Sequence, residues 1–170
     1  VIESRGLGDV YKRQGYHVQG SDLKQSNNTN RLEKLGIKVF IGQKKSNIID
    51  AKIIVVSTAI SEKNEEFIAA KKMFLPIVHR SEMLGELMRL KQSIAIAGTH
   101  GKTTTTSLIA KMIEENGMDP TIINGGIISS LDSNARLGNG EWMVVEADES
   151  DGSFAKLNPT AAIITNIDLE

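Results

Sequence analysis

Short apolar runs alternate along this chain with segments in which apolar residues recur every three or four positions. That alternation predicts strands exchanging with helices, and so a parallel sheet with right-handed crossovers. Tyr16–Gly20 reads as a short strand ending in Ser21-Asp22, Asn28–Leu35 as a helix stopped by Gly36, and Lys38–Ile41 as a second strand. Lys52–Ser57 is strongly apolar and predicts a strand buried on both faces. Glu65–Lys72 predicts a helix with Phe67, Ile68 and Met73 turned inward, and Ile77-Val78 a brief strand after Pro76. In Glu82–Leu90, Met83, Leu84, Leu87 and Met88 share one helical face.

A new strand, Ser93–Ala97, opens the second half. After a glycine turn, Leu108, Ile109, Met112 and Ile113 recur at helical spacing, with Lys111, Glu114 and Glu115 on the other face. Thr121–Asn124 reads as the next strand, and Gly125–Gly140 as an extended loop or irregular hairpin. Trp142–Ala147 is a strand running into an acidic cluster, and Ala161–Thr165 is another apolar strand, read as buried. Three segments follow: 1–14, 15–91 and 92–170. Val1–Gln14 has no apolar strand before its Gly6-Leu7-Gly8 and reads as non-native sequence. A chain stopping just past a buried strand is expected to be truncated.

Composition narrows the classes. The 170 residues suffice for one good domain or two small ones. A formal net charge of −1 supplies no general field toward nucleic acid or anionic lipid. There is no cysteine, which excludes a disulfide scaffold and a thiolate zinc site and fits a reducing compartment. No apolar run approaches the ~20 residues of a membrane span. With one Trp, two Tyr and four Phe, the core must be aliphatic.

The chemistry concentrates in Ser93–Ser107, S-I-A-I-A-G-T-H-G-K-T-T-T-T-S. Strand, glycine turn, Lys-Thr and helix is the layout of a phosphate-binding loop, in which backbone N–H groups close around phosphate oxygens at a helix N-terminus. Lys102 would meet the β- and γ-phosphates and Thr103 a Mg²⁺ ion. The usual spelling, G-x-x-x-x-G-K-[ST], would put a glycine at position 96, where this chain has isoleucine. The competing reading is a Gly-Lys pair opening an ordinary helix. His100, inside the turn, is either structural or close to the phosphates.

Glu146–Asp151 puts four carboxylates in six residues at a strand end. Period-2 geometry sets Glu146 and Asp148 on one face and Glu149 on the other. Asp151 reads equally as part of a solvated loop. Glu146 lies among Met143, Val144, Val145 and Ala147 and needs a partner to offset desolvation. Mg²⁺ shared with Thr103 would supply one. In the first half, Asp22 could bond a ribose hydroxyl or cap the next helix. Ser57 sits at the same sheet edge. Arg80 could grip a phosphate or lie in solvent.

On Gly98–Thr106 (G-T-H-G-K-T-T-T-T), Glu146–Asp151 (E-A-D-E-S-D) and Thr165–Glu170 (T-N-I-D-L-E), the chain resembles the Mur ligases. Gly20–Asp22, Ser57–Ile60, His79–Leu84 and Asn134–Gly138 support the match, which covers Gly15 to the end. The resemblance implies an α/β protein with a Rossmann-like UDP-sugar-binding domain at 15–91 and a truncated P-loop ATPase domain at 92–170. It implies a cytoplasmic enzyme that uses ATP and Mg²⁺ to join L-alanine to the lactyl carboxylate of UDP-N-acetylmuramate through an acyl phosphate. By the same resemblance Gly98, Thr99, His100, Gly101, Lys102, Thr103 and Thr104 hold ATP, with Lys102, Glu146 and His100 catalytic. Thr103 and Glu146 hold the metal; Ser21, Asp22, Ser57 and Arg80 face the UDP-sugar. The family's glycine-rich first loop is not reproduced in Val1–Gln14. Its T-N-I-x-x-x-H histidine falls just after Glu170, so these residues alone are expected to be inactive. A murein tripeptide recycling ligase and a non-catalytic nucleotide-binding module are the alternatives.

Overall fold

A computed structural model describes residues 7–128, 133–147 and 157–168. The chain divides into two compact units, Val1–Met83 and Leu84–Glu170.

In the first unit, Leu7–Arg13 forms α1, with Leu7 and Val10 buried on one side. Next come β1 (Gln19–Asp22), α2 (Asn27–Lys34) and β2 (Lys38–Ile41). β1 and β2 pair in parallel, Gly20 opposite Val39 and Asp22 opposite Ile41. Ser26 caps α2 through a reciprocal capping box with Thr29. The cap is therefore not Asp22, whose carboxylate instead accepts the Lys24 N–H at 3.3 Å. A 3-10 turn at Lys45–Ile48 leads to β3 (Ile54–Val56), α3 (Glu65–Lys72) and β4 (Ile77–His79). β3 and β4 form a second parallel pair, with Val56 opposite His79. Ile48, Ile54 and Ala70 make the core beneath them. The strands are parallel as expected, and among the described residues they form two separate pairs.

The buried face of α3 differs from the sequence expectation. Ile68 and Met73 are exposed and Phe67 is only half-buried, whereas Glu66 and Ala70 are the residues enclosed. Positions 66 and 70 are one turn apart and share a face. Hydrogen bonds to the Glu66 carboxylate draw that face inward, and Lys71 covers the Phe67 ring at 4.7 Å.

α4 (Arg80–Arg89) spans the division between the units. The second unit contains β5 (Gln92–Ala97), α5 (Lys102–Glu115), β6 (Thr121–Ile128), β7 (Ser133–Arg136), β8 (Trp142–Glu146) and β9 (Ala161–Ile164). Their order in the sheet is β7-β6-β8-β5-β9. All neighbours are parallel except β6 and β7, an antiparallel pair with a register shift between Ile123 and Ile128; it reaches back to Ile122, beyond the Gly125–Gly140 stretch expected to be a loop or irregular hairpin. Ile96, Ala110, Ile122 and Val144 form the core, with Ile94, Ile109 and Ile113 against it. Each fully buried large aliphatic contributes roughly 1.5–3 kcal/mol.

Two expectations about facing fail here. Leu108 and Met112 are 61% and 67% exposed, while Thr106 and Ala110 are buried. Residues 106 and 110 are separated from 108 and 112 by about 200° around the axis, so α5 packs the side of Thr106 and Ala110, with Ile109 and Ile113 of the expected stripe against the core and Leu108 and Met112 turned out. β9 is an exposed edge strand instead of a buried one: among the described residues it pairs only with β5, and all four of its residues are exposed.

Candidate phosphate-binding site

The site forms where β5 and β8 end side by side. Ile96 is the register partner of Glu146, so the turn leaving β5 starts next to that carboxylate. Ligands in such sheets gather outside the carboxyl ends of the strands. Gly98, at φ 126, and Gly101, at φ 83, both occupy backbone conformations that side chains disfavour. Gly101 is the N-cap of α5, and its carbonyl accepts the first intrahelical bond from Thr105 at 2.9 Å.

Gly98 explains the late first glycine. A Cβ built there would lie 2.2 Å from Thr165 Oγ1 and 2.8 Å from the carbonyl oxygen of Asn166. The segment after β9 packs directly on this position, so the residue next to the strand end must be the one without a side chain. Ile96 stands inside the strand, fully buried in the core, where no glycine is needed.

Lys102 opens α5 and folds back over the turn. Its Nζ donates to Gly98 O at 2.5 Å and to Thr99 O at 3.3 Å, which holds the ammonium group above the loop. Thr103 Oγ1 donates to Glu146 Oε2 at 3.1 Å. Glu146 is half-buried, not enclosed as the strand pattern suggested. A hydroxyl and a carboxylate side by side are hard oxygen donors that suit Mg²⁺. Thr104 is exposed on the first turn of α5, and His100 is exposed at the tip of the loop. Asp148, Glu149 and Asp151 lie outside the described residues.

The residues expected to face a UDP-sugar lie in the first unit. Ser57 follows β3 and Arg80 follows β4, so the Val56–His79 register sets them side by side. Asp22 ends β1, half-buried. Ser21 is buried, and its hydroxyl donates to Glu66 Oε2 at 2.7 Å. Asn47 Nδ2 donates to Glu66 Oε1, also at 2.7 Å. The sequence reading missed Glu66 and Asn47, and nothing in their local spacing marks them. It also gave no role to Thr165 and Asn166, although both lie in a stretch quoted for the family resemblance.

Comparison with known proteins matches residues 2–92 to the Mur ligase family, catalytic domain, and residues 96–170 to the Mur ligase middle domain. The chain belongs to the Mur ligase family. A relative from Parvibaculum lavamentivorans named UDP-N-acetylmuramate–L-alanine ligase is 62% identical over 99% of this chain and 34% of its own length. The chain thus spans about a third of the length of the curated relatives it matches. Among solved structures, the Thermotoga maritima UDP-N-acetylmuramate–alanine ligase superposes with a TM-score of 0.87 at 32% identity, over 96% of this chain and 40% of that one. The Neisseria UDP-N-acetylmuramate:L-alanyl-γ-D-glutamyl-meso-diaminopimelate ligase gives 0.89 at 28% identity, over 97% and 57%. These Mur ligase structures share the mixed α/β architecture with parallel sheets described above.

Proposed function

We propose that the chain carries the ATP-binding and UDP-sugar-binding residues of an enzyme that joins L-alanine to the lactyl carboxylate of UDP-N-acetylmuramate in the cytoplasm. The observation that carries this reading is the arrangement at the ends of β5 and β8. Lys102 is poised over a glycine turn at a helix N-terminus, with Thr103 bonded to Glu146 at 3.1 Å. Lys102 would leave the Gly98 and Thr99 carbonyls for the β- and γ-phosphates, adding positive charge where the transferred phosphoryl group develops negative charge. The first-turn N–H groups of α5, which helix geometry leaves without intrahelical acceptors, would face the phosphates. Thr103 and Glu146 would hold Mg²⁺, which neutralises phosphate charge when bound. Asp22, Ser57 and Arg80 would line the UDP-sugar side, with Ser21 holding the end of β1.

Transfer of phosphate to the lactyl carboxylate gives an acyl phosphate, and the amine of L-alanine displaces phosphate from it. The protein's part is positioning and charge. The name of the 62%-identical relative supports the alanine-adding reading. The likeness to the Neisseria ligase keeps a tripeptide ligase as a second reading. Competition between UDP-N-acetylmuramate and free muramyl tripeptide for this chain separates the two. ATP titration of the chain and of Lys102→Ala tests the shared core: equal affinity in both overturns it.

A further inference from the structure

The turn between β5 and α5 is held from outside by the segment that follows β9. Asn166 forms a reciprocal pair with the backbone of His100: His100 N–H donates to Asn166 Oδ1 at 2.9 Å, and Asn166 Nδ2 donates to His100 O at 3.2 Å. The carboxamide thus serves the His100 backbone as a neighbouring strand would. Around this pair, Thr165 Oγ1 lies 2.6 Å from His100 O, Thr165 N–H donates to Ala97 O at 3.0 Å, and Asp168 N–H donates to Thr99 Oγ1 at 3.2 Å. Gly98 is wedged against the same two residues, Thr165 and Asn166.

We infer that Asn166 is a positioning residue for the phosphate loop, acting through the His100 backbone on the perch of Lys102. This rests on the phosphate-binding reading above. The carbonyls that hold Lys102 Nζ belong to Gly98 and Thr99, the two residues before His100. Fixing the His100 backbone at both its N–H and its C=O fixes where those carbonyls sit. It also commits the His100 N–H, so the phosphate-facing donors are those of Gly101 and the first turn of α5. A carboxamide suits the position because the pair needs one donor and one acceptor on the same planar group. A carboxylate keeps the acceptor, loses the donor, and sets negative charge against the His100 carbonyl and the incoming phosphates.

The test uses the 170-residue chain as wild type, Asn166→Asp, Asn166→Ala and Lys102→Ala, titrated with ATP and Mg²⁺ by calorimetry. Asn166→Asp is expected to weaken binding about tenfold near pH 7.5, the order of one lost hydrogen bond plus repulsion. Relative to wild type the deficit shrinks as pH falls toward about 5, because a carboxyl beside carbonyl oxygens titrates above its ordinary value of about 3.9 and regains a donor when protonated. A residue that only supports the fold gives no such pH-dependent recovery. An Asn166→Asp affinity equal to wild type, or a deficit that stays flat with pH, overturns the inference. Lys102→Ala separates the two claims: if it binds ATP as well as wild type does, the phosphate-site reading fails. Amide exchange at His100 then decides the clamp without nucleotide. Slow exchange in wild type and at least about tenfold faster exchange in Asn166→Ala support it; fast exchange in wild type overturns it.

Discussion

The two units end their parallel strands in polar residues, yet they hold those residues by different means. At the end of β5, a single run from Gly98 to Thr103 supplies the turn, the lysine and the hydroxyl, and Glu146 joins it from the adjacent strand. At the end of β1, the polar residue nearest the core, Ser21, is bonded to Glu66 on α3, which is also bonded to Asn47 on the 3-10 turn. One arrangement is local in sequence with one long-range addition. The other is a buried network whose members lie 19 and 45 residues from Glu66. The contrast teaches that a site of contiguous residues can be read off directly, whereas the support of a dispersed site is visible only after folding.

The comparison can be broken first at Gly98. Gly98→Ala sets a methyl group against Thr165 Oγ1 and the Asn166 backbone at a positive φ. The expected cost is about 3 kcal/mol or more to the second unit, from overpacking plus backbone strain. Thermal unfolding with a separate probe in each unit should show the loss in the second unit alone. A stability equal to wild type would mean that the loop is not seated against the segment after β9.

Lys102→Ala comes next and acts on binding without a comparable effect on folding. ATP affinity should fall by about tenfold to a hundredfold, the range for hydrogen bonds to a charged partner, while the melting temperature without nucleotide stays close to wild type. A large loss of stability would place the lysine in the support of the loop and not in its chemistry.

In the first unit, Glu66→Ala takes from the buried Ser21 hydroxyl the carboxylate it donates to and leaves Asn47 Nδ2 with the Gly42 carbonyl, at a cost of about 1–3 kcal/mol. Glu66→Gln should cost less, because one amide oxygen remains to accept. The sharper readout is the comparison itself: Glu66→Ala should weaken UDP-sugar binding through β1 and leave ATP affinity unchanged. Equal losses for both ligands would end the distinction between the two sites.

The smallest effect belongs to the tail of α5. Lys111 lies 2.7 Å from Glu115, and its hydrogen bond and then its charge hold the Glu115 carboxyl below the ordinary value of 4.5. A depressed carboxylate adds stability above its unfolded pKa and loses it as pH falls through the folded one. The pair is solvent-exposed, so Lys111→Ala should lower the melting temperature by about a degree or less near neutrality. The difference should vanish in acid; a difference that grows as pH falls would contradict the assignment.

Much of the architecture was legible because strand and helix periods are local properties. Lys38–Ile41 and Glu65–Lys72 were expected at the bounds observed. The glycine turn between β5 and α5 was legible too, since its glycines, lysine and threonine are contiguous in the chain. Which way a helix turned its apolar residues was not legible. In α5 the stripe of Leu108, Ile109, Met112 and Ile113 is wider than the face that packs, and half of it points outward. In α3 a carboxylate went inside because partners from two distant elements were waiting for it.

The sequence by itself determined the alternation of strands and helices, the position of the glycine turn and the chemistry its residues can supply. All of these depend on neighbours within a few positions along the chain. Only the tertiary structure decided why the first glycine stands at 98, where Thr165 and Asn166 leave no room for a side chain. It also decided that Thr103 meets Glu146, that Asn166 holds the His100 backbone and that Glu66 is buried. Each of these is a contact between residues far apart in the chain, and sheet order and register set such distances where local spacing does not.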